Sequence, residues 1–117
     1  MGLFGRQKKL LHDGAQAQAI VKEREGSGFT HNGYTADKLV LEVHFEDGTQ
    51  VEVRDKVDKE DVGYKLISVG DILPVRYDPK NRSGAVVDVA AIRAQVEASR
   101  RQIDQDRMAR ARRELDG

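Results

Sequence analysis

The stretch DKLVLEVHFEDGTQVEV, residues 37–53, contains two runs in which inward and outward side chains alternate, separated by Glu46-Asp47-Gly48. A period of two is typical of a strand with one buried face. The expected inward residues are Leu39, Leu41, Val43 and Phe45 in the first run, and Thr49, Val51 and Val53 in the second. The stretch therefore predicts an antiparallel hairpin.

The length of the turn follows from the pairing of the two runs. A two-residue Asp-Gly loop would set Val43 opposite Glu52, whereas a three-residue loop pairs Val43 with Val51 and keeps both apolar faces on one side. Three-residue loops of this kind carry a left-handed residue, for which glycine is preferred. We predict a type I turn with Gly48 left-handed in a bulge. This register places Glu42 opposite Glu52 on a wet, acidic outer face.

Upstream of the hairpin, the alternation indicates another strand from residue 15. Its inward face consists of Ala15, Ala17, Ala19 and Val21. Such small side chains suit a tightly curved sheet, because facing strands approach closely there. The following stretch GSGFTHNGYT, residues 26–35, includes Asn32-Gly33, a strong hairpin signal. We expect a bulged, mobile hairpin tip at this pair.

Residues 58–68, DKEDVGYKLIS, predict a helical turn that plugs one end of the sheet. Asp58 is a candidate N-cap. Val62 and Leu66 are four residues apart, which places them on one face of a helix. This is the position of the connection between the third and fourth strands.

The stretch VGDILPVRYDPKN, residues 69–81, is interpreted as a corner and not as a binding site. Gly70 and Asp71 turn the chain into a strand whose inward face is Leu73, Val75 and Tyr77. Pro74 has no N–H to donate and should face an unpaired edge or a bulge. Asp78 and Pro79 then form a turn, since aspartate accepts from nearby amides and proline presets the backbone. We therefore predict structural turns at Gly48, Gly70, Asp78 and Pro79.

Residues 84–89, GAVVDV, predict the last strand, after which the period becomes helical. Val89, Ile92, Val96 and Ile103 lie at heptad a and d positions. The apolar stripe ends near Ile103, and residues 104–117 are expected to be a solvated helix or a frayed tail. Two alternatives remain open for the stripe: it docks on its own barrel, or it binds another chain. The candidate partner interface comprises Val89, Ile92, Val96, Arg100, Ile103 and Arg107.

These elements together predict a mainly β protein. We expect a small five-stranded OB-like barrel over residues 14–88, because five short strands with a helical turn between the third and fourth match that fold. A short amphipathic N-terminal helix occupies residues 1–13, and a long, arginine-rich C-terminal helix occupies residues 89–117. The formal net charge is zero, but the middle of the chain is acidic and both ends are mildly basic.

The segments GAQAQAIV, LVLEVHFEDG and VGDILPVRYDP resemble an uncharacterised bacterial family of small β-barrel domains. That family begins with G-x-x-A-x-A-x-V and contains a G-D-x-x-x-V-x-Y-D-P strand. The resemblance covers roughly residues 14–88 and rests on structural residues, so it implies a fold and no catalytic residues. Relatives often carry the domain beside membrane-spanning helices, and this chain has no such apolar run.

Few residues point to catalysis or to metal binding. The chain has no cysteine, which excludes thiolate catalysis and zinc sites with cysteine ligands. His12, His31 and His44 lack ligand spacing. The acidic cluster Asp55, Asp58, Glu60 and Asp61 lacks the alternation of a calcium loop, so solvated charge and capping explain it. We expect no enzyme, no metal, no cofactor and no small-molecule substrate.

The sequence favours a cytoplasmic, non-enzymatic module that docks to an unidentified protein, or to a second copy, through its terminal helices. The alternative is a nucleic-acid-binding barrel that uses the C-terminal arginines. It is disfavoured because the outer face of the second and third strands has only Lys38 and Arg54 as bases and no aromatic platform. A third hypothesis is a weak membrane-surface contact through residues 1–11.

Overall fold

The computed structural model describes residues 10–31 and 34–117. Within them, residues 10–13 are helical and five strands precede a long C-terminal helix. The strands are β1 Ala15–His31, β2 Tyr34–His44, β3 Gln50–Asp58, β4 Ile72–Asp78 and β5 Asn81–Val87, and the C-terminal helix is Val89–Asp116. The sequence-predicted membrane-surface contact through residues 1–11 falls mostly outside the described residues.

The five strands form one antiparallel sheet in the order β3-β2-β1-β4-β5. Strand β1 pairs with both β2 and β4, and the two ends of the order, β3 and β5, come close enough for a side chain of one to bind the backbone of the other. The strands therefore form a nearly closed, OB-like barrel. This confirms the predicted fold class.

The core of the barrel is aliphatic. On the inward face of β1, Ala19 and Val21 are fully buried, as the alternation predicted. The buried residues that join them include Leu39, Leu41, Val43, Phe45, Val53, Val57, Leu73, Val75, Ala85 and Val87. The small residues of β1 let the facing strands approach one another inside a narrow barrel.

The hairpin between β2 and β3 has the predicted register. Val43 lies opposite Val51 and Glu42 lies opposite Glu52. Gly48 donates its backbone N–H to the Phe45 carbonyl at 3.0 Å and adopts φ +86°. The three-residue loop with a left-handed glycine is therefore confirmed. At the other hairpin, β1 and β2 pair up to residues 31 and 34, and the predicted tip at 32–33 lies outside the described residues.

Residues 69–81 form corners, as predicted. Gly70 adopts φ +93°, and the Asp71 carboxylate accepts from the Ser68 backbone N–H at 2.8 Å. The Asp78 carboxylate accepts from the Lys80 backbone N–H at 2.9 Å, so the Asp78-Pro79 segment is a side-chain-stabilised turn between β4 and β5.

Pro74 does not lie on an edge strand, because β4 is internal to the sheet. Its carbonyl accepts from the Asp88 backbone N–H at 2.9 Å. Asp88 follows the last residue of β5, so the proline nitrogen faces a point where the ladder has ended. The missing donor is tolerated there for the same reason that it is tolerated on an edge.

The predicted helical turn over residues 58–68 is shorter than expected. A single turn occupies 59–64 and ends when Tyr64 N–H bonds the Lys59 carbonyl at 2.7 Å and Gly63 N–H bonds the Glu60 carbonyl at 3.1 Å. This pair of bonds is a Schellman ending. Gly63 and Tyr64 both have positive φ, 65° and 60°, which stops a right-handed helix.

Because the helical turn stops at Gly63, the predicted Val62–Leu66 pair does not form. Val62 and Ile67 are buried in the core, whereas Leu66 is 70% exposed. The connection between β3 and β4 still closes an end of the barrel, as expected, but it does so with these two apolar residues in an irregular segment.

The last strand also differs from its predicted bounds of 84–89. It begins at Asn81, directly after the Asp78-Pro79 turn, and it ends at Val87. Val89 is already helical. The reason is Asp88, whose side chain caps the helix and so ends the strand at Val87, two residues before the apolar alternation ends at Val89.

Candidate functional site: the C-terminal helix

The start of the C-terminal helix is tied to the barrel by a buried ion pair. Asp88 is 4% exposed, and one of its carboxylate oxygens accepts from the Ala91 backbone N–H at 3.1 Å as an N-cap. The other oxygen accepts from Arg76 Nε at 2.9 Å. Arg76 also donates from Nη1 to the Gly14 carbonyl at 2.9 Å. One arginine of β4 therefore fixes both the helix start and the end of the N-terminal segment.

The first three turns of the helix pack on the barrel. Ile92 is fully buried in the core, and Val89 and Val96 lie partly buried against it. Val96 also covers Gly63, where an added Cβ would lie 3.2 Å from Val96 Cγ1. The first part of the apolar stripe, from Val89 to Val96, thus docks on its own barrel, which was one of the two alternatives from the sequence.

Two arginines extend this docking over the connection between β3 and β4. Arg93 Nη1 donates to the Glu60 carbonyl at 3.4 Å, and Arg100 Nη2 donates to the Gly63 carbonyl at 3.3 Å. Both carbonyls belong to the Schellman ending. The Glu60 carbonyl already accepts from the Gly63 N–H, so Arg93 adds a second donor to it, and Arg100 supplies a donor to the Gly63 carbonyl at the end of the turn. Docking of the helix ends at Arg100.

Residues 101–116, named here the projecting segment, remain helical to Asp116, and every one of them is exposed. At 1.5 Å per residue, the segment extends about 24 Å past Arg100. Its large apolar side chains are Ile103, Met108 and Leu115, which are 55%, 50% and 88% exposed. Of the two alternatives predicted for residues 104–117, a solvated helix or a frayed tail, the structure has the solvated helix, and no described part of the chain covers it.

The structure divides the predicted partner interface into two parts. Ile92 belongs to the core of its own chain and is not available to a partner, which corrects its assignment. Val89, Val96 and Arg100 contact the barrel or its connection. Ile103 and Arg107 lie on the projecting segment.

Met108 and Leu115 were missed by the sequence analysis. The predicted heptad pattern runs from Val89 to Ile103, and Met108 falls five residues after Ile103, about 140° around the helix. The available signal was the spacing of Met108, Ala111 and Leu115. These positions, i, i+3 and i+7, form a short apolar line of their own.

The projecting segment carries charges of both signs. Its five arginines, Arg101, Arg107, Arg110, Arg112 and Arg113, are interspersed with Asp104, Asp106, Glu114 and Asp116. Polar pairing supports the exposed helix, since Gln102 donates to Asp106 one turn later at 3.0 Å. Within residues 10–31 and 34–117, no group of three or more side chains is arranged to hold a metal ion.

The outer face of β2 and β3 was predicted to be acidic, and it is so only in part. It is acidic at Glu42 and Glu52, but Lys38, Arg54 and Lys56 form a basic end on β2 and β3. Lys56 lies beyond the stretch 37–53 from which the hairpin was predicted, and the strand continues to Asp58.

Strand β1 has a β-bulge between Val21 and Glu23, on the part of the sheet next to β2. Lys22 lies in the bulge, and its Nζ lies 3.1 Å from Glu52 Oε1. The hydrogen bond to Glu52 raises the pKa of Lys22.

No helix within the described ranges is long and apolar enough to cross a membrane. No family model matches the chain, and no curated protein or solved structure is significantly similar to it. The resemblance to a bacterial barrel family therefore stays a prediction.

Proposed function

We propose that this chain is a non-enzymatic docking module, in which the barrel holds a rigid helix and the projecting segment binds another protein. The observation that carries the proposal is the full exposure of a helix of more than four turns. Isolated helices of this length are marginally stable in water, and most helical stability in proteins comes from packing of one face. A partner groove would supply that packing.

The apolar residues of the projecting segment favour a different protein over a second copy. A two-stranded coiled coil requires apolar residues at a and d through successive heptads. Here Ile103 lies on one side of the helix, and Met108 and Leu115 lie on another, about 120° to 140° away. A symmetric pair of helices would leave one of these groups in water.

The mode of binding that fits this pattern is a helix lying in an apolar groove. Such helices present anchors at i, i+3, i+4 or i+7. Met108, Ala111 and Leu115 supply three anchors on one line, with Arg107 and Arg112 on its two flanks. The partner we propose has an apolar groove with an acidic rim, because the arginine heads reach water past apolar stems.

The test compares the wild-type chain with a Met108→Glu, Leu115→Glu variant as bait in native lysate. A matched control, Gln102→Glu with Ala109→Glu, adds the same charge on another side of the same helix. Captured proteins are identified by mass spectrometry and then measured pairwise with purified components. Circular dichroism checks that all three baits remain helical.

We expect a protein that binds the wild type and the control with similar affinity and loses about tenfold or more in affinity for the anchor variant. Sedimentation of the purified chain is expected to show a monomer. If the purified chain is a dimer and the anchor substitutions dissociate it, the partner of the projecting segment is a second copy of the chain and not a different protein. Equal binding by all three baits would contradict the proposal that Met108, Ala111 and Leu115 anchor the partner.

A further inference from the structure

A groove of about 910 Å³ lies over β1, β2 and β3, remote in sequence from the projecting segment. Lys38, Arg54 and Lys56 line it from β2 and β3. Val40 of β2 and Val69 of the connection before β4 add aliphatic surface, and Val69 is 64% exposed. We call this the basic groove.

The register of β2 and β3 places two of these cations face to face. Lys38 lies directly opposite Lys56, and Arg54 lies opposite Val40 on the same face. Like charges directly opposite each other destabilise a sheet. On its other side Lys38 lies opposite Glu25 of β1, so the repulsion falls mainly on Lys56 at the edge of the groove. An anion bound beside Lys56 and Arg54 would reduce it, because these two cations would then face an opposite charge.

In the part of the chain that the structure describes, the three cations are not held in close ion pairs. Among the residues that the structure describes, Lys38, Arg54 and Lys56 form no ion pair with a carboxylate within 4.0 Å. Two neighbouring bases of β1 differ in this respect. Lys22 pairs with Glu52, and Arg24 pairs with nearly buried Asp37. The positive charge of the groove that has no close ion pair therefore lies on β2 and β3, and the carboxylates of Glu23 and Glu25 lie beside it on β1.

The carboxylates on the β1 side of the groove argue against a polyanionic ligand. Glu23 and Glu25 of β1 line the groove there, and they would repel a continuous phosphate backbone. Single-stranded nucleic acid is usually held by aromatic side chains on which bases stack, and no aromatic occurs among the described residues of the lining. Discrete carboxylates spaced by aliphatic residues suit these walls better.

We propose that the basic groove binds an extended peptide segment that carries acidic and aliphatic side chains. Its carboxylates contact Lys38, Arg54 and Lys56, and its aliphatic residues contact Val40 and Val69. This surface is separate from the helix-binding function proposed above, so the chain has two docking surfaces that recognise different chemistry.

The experiment is an NMR titration of the isotopically labelled full-length chain. The probe is a soluble peptide of about ten residues that alternates Glu with Val, a length suited to an extended segment in a groove. The same peptide with Lys in place of Glu, and an oligothymidylate of equal length, are the comparison ligands. We expect the acidic peptide alone to shift amide signals of residues 22–25, 38–40 and 54–56.

The decisive variant is Lys56→Glu, with Lys80→Glu as the matched charge reversal on the exposed β4–β5 turn. Lys56→Glu is expected to weaken peptide binding about three- to thirtyfold, because an attraction becomes a repulsion. Lys80→Glu is expected to leave the affinity within about twofold. The melting midpoint of Lys56→Glu is expected to equal or exceed that of the wild type, because Lys38 gains an opposite charge across the strands.

Three results would overturn the proposal. They are an absence of shifts at millimolar acidic peptide, equal affinity of Lys56→Glu and the wild type, and shifts caused by the oligothymidylate in place of the peptide. Met108→Glu with Leu115→Glu is expected to bind the acidic peptide as the wild type does, so a failure of the helix proposal and a failure of the groove proposal give different results.

Discussion

The carboxylate of Asp55 accepts a hydrogen bond from the backbone N–H of Val87 at 3.0 Å, and this bond joins β3 to β5. These two strands are the ends of the hydrogen-bonded order, so a side chain supplies a link where the backbone ladder is open. The second oxygen of Asp55 accepts from the Lys56 backbone N–H at 2.8 Å. Burial of the group raises the pKa of the Asp55 carboxyl.

Asp55→Ala should lower the free energy of unfolding by about 1–3 kcal/mol, because the buried Val87 N–H loses its acceptor. Asp55→Asn keeps one acceptor oxygen and should lose less. Urea denaturation of the three proteins measures both values. If Asp55→Ala were as stable as the wild type, closure of the barrel would not depend on this side chain.

Asp47 gives the β2–β3 turn a defined dependence on pH. Hydrogen bonds from the Thr49 hydroxyl and backbone N–H, and then from Arg82, lower the pKa of Asp47 from 3.8 to about 2. A carboxyl whose pKa is lower in the folded state contributes stability above its unfolded pKa, and that contribution is lost as the pH falls through the folded pKa.

The midpoint difference between the wild type and Asp47→Ala should therefore be largest above about pH 4 and should shrink as the pH falls toward about 2. Thermal melts over this range measure it. A difference that stays constant with pH would mean that the ionised carboxylate does not stabilise the turn.

Gly48→Val should destabilise the domain by about 1–2 kcal/mol, because a β-branched residue is forced to a positive φ. No atom lies within 4 Å of the position that a Cβ would take, so the loss would come from the backbone and not from a clash. Gly48→Asn is the control, since asparagine tolerates this conformation better. Thermal melts should place asparagine between glycine and valine, and equal melts for all three would contradict the strained-turn account.

Ile92 and Ile103 belong to one heptad pattern but should respond differently to truncation. Ile92→Ala should cost about 2–5 kcal/mol, because it opens a cavity in the core. Ile103→Ala should stay within about 0.5 kcal/mol, because the side chain is largely in water. Chemical denaturation of a dilute monomer compares them. A similar loss for both would mean that part of the chain or a second copy covers Ile103.

Local patterns in the sequence were enough to predict much of the barrel. The alternation around residues 37–53 permits only one register that buries Val43 and Val51 together, and the left-handed residue then has to be Gly48. The Asp78-Pro79 turn follows in the same way, because the aspartate bonds a backbone N–H two residues away. These features depend on neighbours in the chain, which the sequence displays directly.

The tertiary structure decided where each pattern stops. Residues 58–68 do not complete a helix, because the core takes up Val62 and Ile67, while Gly63 accommodates Val96 of the docking helix. The apolar stripe continues to Ile103 in the sequence, yet contact with the barrel ends at Arg100.

The candidate binding surfaces depend even more on the tertiary structure. The basic groove requires the bulge after Val21 and the full length of β3, and the projecting segment is exposed only because the barrel ends before it. Side-chain periodicity reports which face of an element is apolar, but the physical extent of the surface that covers this face is set by residues distant in the chain.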